Sequence, residues 1–98
     1  MGIKEIIEIL RMNKALLHQF HVSSLSIFGS VARGDAGLDS DVDMLVEFEP
    51  GVAIGFFTFA RLQSSLSDLV GRPVDLVTVD ALHKALKHKI LKEAIYAL

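Results

Sequence analysis

The run Val42-Asp43-Met44-Leu45-Val46-Glu47-Phe48 constrains the fold more than any other segment. It is densely apolar, carries an aspartate inside it and is closed by Pro50-Gly51, the pattern of a buried strand. A buried strand needs strands beside it and helices over it, and the rest of the chain supplies both. Val22 to Phe28 is a short run ending at Gly29, and Pro73 to Val79 is rich in valine; both read as strands. Ile3, Ile6, Ile7, Leu10 and Leu17 recur at helical spacing, with Lys4, Glu8, Arg11 and Lys14 outside the stripe, which predicts one amphipathic helix over Ile3 to Gln19. Ser30 to Arg33 could form a short helix stopped by Gly34, and Asp35 to Ser40 reads as loop. Phe56 to Val70 places Phe59, Leu62, Leu66 and Leu69 on one side of a second long helix, with Gly71 as its stop. Asp80 is expected to cap a last helix through Leu98, with Leu82, Leu86, Ile90 and Ala94 on its inner face. The order α-β-α-β-α-β-α predicts an α/β (α+β) fold, a small mixed sheet of three or more strands with packed helices.

Composition narrows the function classes. Ninety-eight residues, 51% of them apolar, suit a single domain over 1–98 with a small core and little room for a second lobe. A formal charge of −2 lacks the positive footprint of a nonspecific nucleic-acid binder, so no direct nucleic-acid binding is expected. Cysteine is absent, which excludes disulfides and thiol chemistry. Met1-Gly2-Ile3-Lys4-Glu5 shows no basic region followed by an apolar core, and the apolar segment Gly51 to Ala60 is too short to span a bilayer. The expectation is a cytoplasmic protein without a membrane partner.

Three features carry candidate chemistry. Gly29-Ser30 lies where a strand meets a short helix. Glycine permits a sharp turn and close approach of a ligand, and helix-start N–H groups with the Ser30 hydroxyl make a phosphate seat; a plain turn is the alternative. Asp41 and Asp43 stand two apart entering the second strand, so both carboxylates project to one face while Val42, Met44, Val46 and Phe48 face the other way. Adjacent carboxylates repel, so one protonates or a cation sits between them, and hard oxygen ligands suit Mg²⁺. Alone, such a pair also fits a loop-ending Asp41 and a solvated Asp43. Asp75 sits inside Pro73 to Val79, where a charge is costly unless it is paired or binds metal. Arg33, Arg61 and Arg72 are the candidate ion-pair partners. If the second and third strands are neighbours, Asp75 joins Asp41 and Asp43, and two metal ions could clamp an in-line phosphoryl transfer.

Gly29-Ser30, ten intervening residues and then Asp41-Val42-Asp43 resemble the signature of the DNA polymerase beta-like nucleotidyltransferase superfamily. The wider run from Phe28-Gly29-Ser30-Val31-Ala32-Arg33-Gly34 through Ser40-Asp41-Val42-Asp43-Met44-Leu45-Val46 resembles its minimal nucleotidyltransferase (MNT) branch. Gly71-Arg72-Pro73-Val74-Asp75-Leu76-Val77 is similar to the segment with that family's third carboxylate, and Ile90 to Tyr96 to the branch's C-terminal helix. Asp35 and Met44 are slight departures that do not touch the chemistry. The resemblance implies a nucleotidyltransferase fold with Asp41, Asp43 and Asp75 as catalytic metal ligands, Mg²⁺ as cofactor (two ions) and ATP as substrate. Gly29, Ser30 and Arg33 would bind nucleotide. It further implies an antitoxin that adenylylates a tyrosine on a HEPN-type ribonuclease toxin.

Other residues leave alternatives open. Arg33 could neutralise triphosphate or pair with Asp35 or Asp39. His18, His21, His83 and His88 have no zinc-like spacing, so surface or helix-end roles are expected. Lys84, Lys87, Lys89 and Lys92 read as a solvated face, or as a contact for an acidic partner or RNA. Phe56, Phe57 and Phe59 cannot share one helix face; most are expected in the core, with one exposed at a partner surface. Two functions fit: AMP transfer to a protein hydroxyl, or a non-catalytic antitoxin that inhibits by binding alone. Homo- and hetero-oligomers both remain open.

Overall fold

A computed structural model describes residues 2–35, 37 and 40–98. Helices α1 (Ile3–Met12) and α2 (Lys14–Gln19) lead into strand β1 (Val22–Phe28), which runs directly into the short helix α3 (Gly29–Arg33). Strand β2 (Val42–Phe48), helix α4 (Phe56–Val70) and strand β3 (Val74–Thr78) follow. A 3₁₀ turn (Val79–Ala81), helix α5 (Lys84–Glu93) and strand β4 (Ile95–Tyr96) complete the order. The four strands form one mixed sheet in the order β3-β2-β1-β4. β2 is antiparallel to β1 and parallel to β3, and β4 is antiparallel to β1.

The core lies on one face of this sheet. Leu25 and Ile27 of β1, Met44 and Val46 of β2 and Leu76 of β3 meet Ile6, Leu10 and Leu17 of the N-terminal helices and Leu62, Leu66 and Val70 of α4. Strand alternation therefore sends Asp43 and Asp75 to the opposite face, as the sequence pattern requires. Leu45 is also buried, on that opposite face and outside the main core cluster. Gly71, at φ 69°, ends α4 in the left-handed conformation that a side chain disfavours, and Gly34, at φ 81°, ends α3 in the same way. No helix among the described residues is long and apolar enough to cross a membrane.

The structure corrects three expectations. The predicted helix from Ile3 to Gln19 is two helices. The Asn13 side-chain amide donates to the Ile9 carbonyl at 2.8 Å, taking the acceptor that a continuous helix would give the Asn13 N–H, which turns instead to Leu10 at 3.1 Å. The last helix begins at Lys84, capped by His83 Nδ1 accepting from the Ala85 N–H, while Thr78 rather than Asp80 caps the preceding turn. It ends at Glu93, and Ala94 is extended. Ile95 and Tyr96 then pair with Ile27 and Ser26, and the Ala97 N–H donates to the Leu25 carbonyl at 2.9 Å. The expected inner face of that helix buries none of its residues fully, and Leu86 is 53% exposed. Ala97 enters the core instead, so a strand's alternation governs the chain end. Of the three phenylalanines, Phe59 packs edge-on to Phe48, but two rather than one are exposed: Phe56 and Phe57 meet each other with ring centroids 5.7 Å apart. They precede the core-facing row that Phe59, Leu62 and Leu66 form at three- and four-residue spacing.

Leu66 is fully buried beneath the sheet. Leu66→Ala should cost about 2–5 kcal/mol of stability, a large share of the roughly 5–15 kcal/mol of a typical domain. Urea unfolding should show the midpoint falling with an unchanged slope; a loss below about 1 kcal/mol would mean that α4 does not anchor the core.

Candidate active site

The site forms where β1 ends and β2 begins. Phe28 is paired with Asp43 across these antiparallel strands, which sets the Asp43 carboxylate beside the turn into α3. Gly29 takes φ 75° there, and its Cα lies so close that a Cβ would strike Asp43 Oδ2 and stand 3.1 Å from Cγ. Glycine is required twice over, by backbone conformation and by this approach. The parallel pairing of β2 and β3 then puts Asp75 level with Asp43. Asp41 lies two residues before Asp43, exposed at the strand's entrance.

Asp43, half-buried, titrates above the ordinary carboxylate range. Burial is the largest cause, followed by the charges of Asp75 and Asp41; Arg33 opposes the rise and Glu93 adds to it. Asp75 itself is exposed, between buried Val74 and buried Leu76. The sequence places a charge within an apolar strand, where it would need a counter-ion; alternation turns this one to solvent, which removes that need. The three aspartates share one region, but among the described residues no three acidic or histidine side chains close into a metal-holding cluster. As a donor set they still fit a hard divalent cation. All three are oxygen ligands, and their mutual repulsion, expressed on Asp43, is what a cation would relieve.

Arg33 is held from two sides. Its Nε donates to Asp35 Oδ2 at 3.3 Å and its Nη1 to Glu93 Oε1 at 3.4 Å, and these carboxylates, Asp35 foremost, raise its pKa further. Of the two expected partners, Asp35 is thus a partner in fact, while Asp39 lies outside the described residues. Arg72 donates to the carbonyls of Gly37 and Ser40, tying the start of β3 to the segment before Asp41. Ser30 is half-buried, and its carbonyl accepts from the Asp35 N–H at 3.1 Å. Among the described residues no hydrogen bond engages its hydroxyl.

Glu93 is the residue that sequence reasoning missed. It lies 64 residues from Gly29, yet its Oε1 accepts from the Gly29 N–H at 3.1 Å as well as from Arg33. One signal was available. An acidic side chain in a last helical turn faces the negative end of the helix dipole, so a tertiary donor is expected to hold it. Three of the histidines have partners of their own. His18 and His21 approach Glu49 at 3.7 and 3.8 Å, and His83 is a helix cap. A recess of about 570 Å³ lined by Arg11, Lys14, His18 and Tyr96 reaches Val22 and Ser23, at the other end of β1, and includes none of the site residues.

Comparison with known proteins gives this geometry its family context. The model of the nucleotidyltransferase domain family matches residues 3–97. Protein adenylyltransferase MntA of Thermococcus cleftensis is 38% identical over 95 residues, which covers 96% of this chain and 94% of that protein. A solved structure described as "putative minimal nucleotidyltransferase" superposes with a TM-score of 0.79 at 36% identity, covering 97% of this chain and 95% of the other. A solved structure of the tri-AMPylated Shewanella oneidensis HEPN toxin in complex with MNT antitoxin superposes with a TM-score of 0.59 at 15% identity, covering 90% and 71%. That last likeness is one of fold.

The crowding around Asp43 has a pH signature. A carboxylate whose pKa is raised on folding holds its proton more tightly folded than unfolded. Its ionised form therefore lowers stability above that range and has no effect once both states are protonated. Asp43→Asn should melt at a higher temperature than wild type at neutral pH without metal. The gain should shrink as pH falls through the raised Asp43 range and vanish below the ordinary carboxylate range. A lower melting temperature at neutral pH would make Asp43 a structural residue instead.

Proposed function

Because the chain belongs to the nucleotidyltransferase domain family, we propose that it transfers AMP from Mg²⁺-ATP to a protein hydroxyl, a tyrosine of a HEPN-type ribonuclease, and so serves as that toxin's antitoxin. The observation that carries this reading is the approach of Asp43 to the Gly29 turn, with Asp75 in register beside it and Asp41 two residues before. A phosphate-binding turn and a carboxylate cluster in direct contact are what a metal-nucleotide complex needs from a protein. The T. cleftensis relative, named for protein adenylyl transfer, supports AMP as the group moved. The complex of an AMPylated HEPN toxin with MNT antitoxin supports the class of acceptor.

In this reading Asp41, Asp43 and Asp75 hold Mg²⁺. The ions, when bound, neutralise triphosphate charge and make the acceptor oxygen a better nucleophile. The Ser30 hydroxyl donates to phosphate, and Arg33, held by Asp35 and Glu93, offsets the negative charge that develops on the leaving group. The acceptor oxygen bonds to the α-phosphorus, the α–β bridging bond breaks, pyrophosphate leaves and the hydroxyl proton passes to solvent. Orientation supplies a large share of such catalysis. The acceptor protein brings its own docking surface, and an AMP on its tyrosine adds bulk and negative charge that oppose RNA entry.

The test is to incubate the chain with Mg²⁺-ATP and a candidate HEPN-type ribonuclease. Intact-mass spectrometry should show the ribonuclease heavier by one or more AMP units, with its nuclease activity falling in step. Asp41→Asn should abolish both effects. Ser30→Ala should slow transfer about tenfold or somewhat more, since one hydrogen bond is lost while backbone donors remain. If Asp41→Asn protects against the ribonuclease as well as wild type does, inhibition is by binding alone and the catalytic reading is wrong.

A further inference from the structure

Glu93 makes contacts that neither strand pairing nor core packing explains. A single oxygen, Oε1, accepts from the Gly29 backbone N–H at 3.1 Å and from Arg33 Nη1 at 3.4 Å. These two donors belong to different parts of the nucleotide seat, the backbone turn and the guanidinium, and one atom ties them together. The bonds leave most of the seat's donors unspent. A guanidinium has five N–H groups, and Asp35 and Glu93 are each bonded at one nitrogen, Nε and Nη1, so Nη2 is engaged by neither. The Ser30 hydroxyl likewise has no partner among the described residues.

The backbone behind Glu93 is fixed from the sheet. It closes α5, and two residues later Ile95 pairs with Ile27 of β1, the strand whose end carries Gly29. Ala97 and Leu98 add hydrogen bonds to Leu25. The carboxylate thus reaches the Gly29 turn from an element bonded to the same strand, and its side chain is 20% exposed.

The geometry points to Glu93 as the positioning residue of this site: one carboxylate oxygen fixes Arg33 relative to the Gly29 turn, so that both arms of the nucleotide seat keep one spacing. This rests on the nucleotidyltransferase reading above. The rival role for a carboxylate on these donors is that of a competitor that occupies the phosphate's place. The two differ in sign, because losing a competitor strengthens nucleotide binding and losing a positioner weakens it.

Two conservative variants separate geometry from charge. Glu93→Asp keeps the charge but is one methylene too short to reach both donors. Glu93→Gln keeps the acceptor oxygen and the length but drops the charge. Two quantities are read on each, Mg²⁺-ATP affinity by calorimetry and Gly29 amide hydrogen exchange in nucleotide-free protein. Glu93→Asp should bind Mg²⁺-ATP about tenfold more weakly and exchange the Gly29 amide faster than wild type, the size expected for one charge-assisted hydrogen bond. Glu93→Gln should stay within about threefold of wild type on both readouts. Glu93→Asp with unchanged Gly29 exchange, or with Mg²⁺-ATP affinity equal to or tighter than wild type, overturns the positioning role. If wild type itself shows no Mg²⁺-ATP binding, the nucleotidyltransferase reading fails, and Gly29 exchange still decides whether Glu93 holds the turn.

Discussion

The Asp43 carboxylate lies against the backbone of Gly29, and the local architecture is arranged around that contact. It requires β1 to end where β2 begins, which the antiparallel pairing of Phe28 with Asp43 provides. It requires a residue without a Cβ at the turn, since any other would collide with the carboxylate. On the far side of β2, β3 runs parallel to it and brings Asp75 level with Asp43. A parallel neighbour needs a long crossover, and α4 is that crossover, packing Leu62, Leu66 and Val70 onto the sheet's other face. The helix that makes the core thus also delivers the third carboxylate.

Burial and like charge meet at Asp43. Burial and two neighbouring carboxylates push Asp43 toward its protonated form, and Arg33 resists only in part. The structure tolerates the crowding because the aspartates occupy the sheet face away from the main core, and because Asp41 and Asp75 stay exposed. Only Asp43 carries much of the burial. A cation would relieve this repulsion, and the proposal of a divalent metal at this point rests on that.

The elements that were legible in the sequence are those whose causes are local. β1, β2 and β3 follow from short apolar runs with turn residues at their ends, and the ends of α3 and α4 follow from Gly34 and Gly71. The proximity of Asp41, Asp43 and Asp75 followed from strand periodicity once β2 and β3 were taken as neighbours. What stayed hidden depends on contacts remote in sequence or on competition within a turn. Asn13 breaks a convincing helical stripe because its side chain outcompetes its own N–H for the Ile9 carbonyl. Ile95 and Tyr96 read as helix until β1 is present to pair with them. Glu93 looked like one more charged residue on a lysine-rich helix, and its role appears only when the chain end returns to Gly29.

The metal site proposed for Asp41, Asp43 and Asp75 beside the Gly29 turn can be located in solution. The most direct measurement is paramagnetic broadening of the ¹⁵N-labelled protein by substoichiometric Mn²⁺ with a non-hydrolysable ATP analogue. Amide signals should vanish first at Asp41, Asp43, Asp75 and Gly29, with Leu66 in the core and Phe57 on α4 least affected. Broadening centred on His18, His21 and Glu49 instead, or spread evenly over the acidic surface, would rule out a metal site at these aspartates.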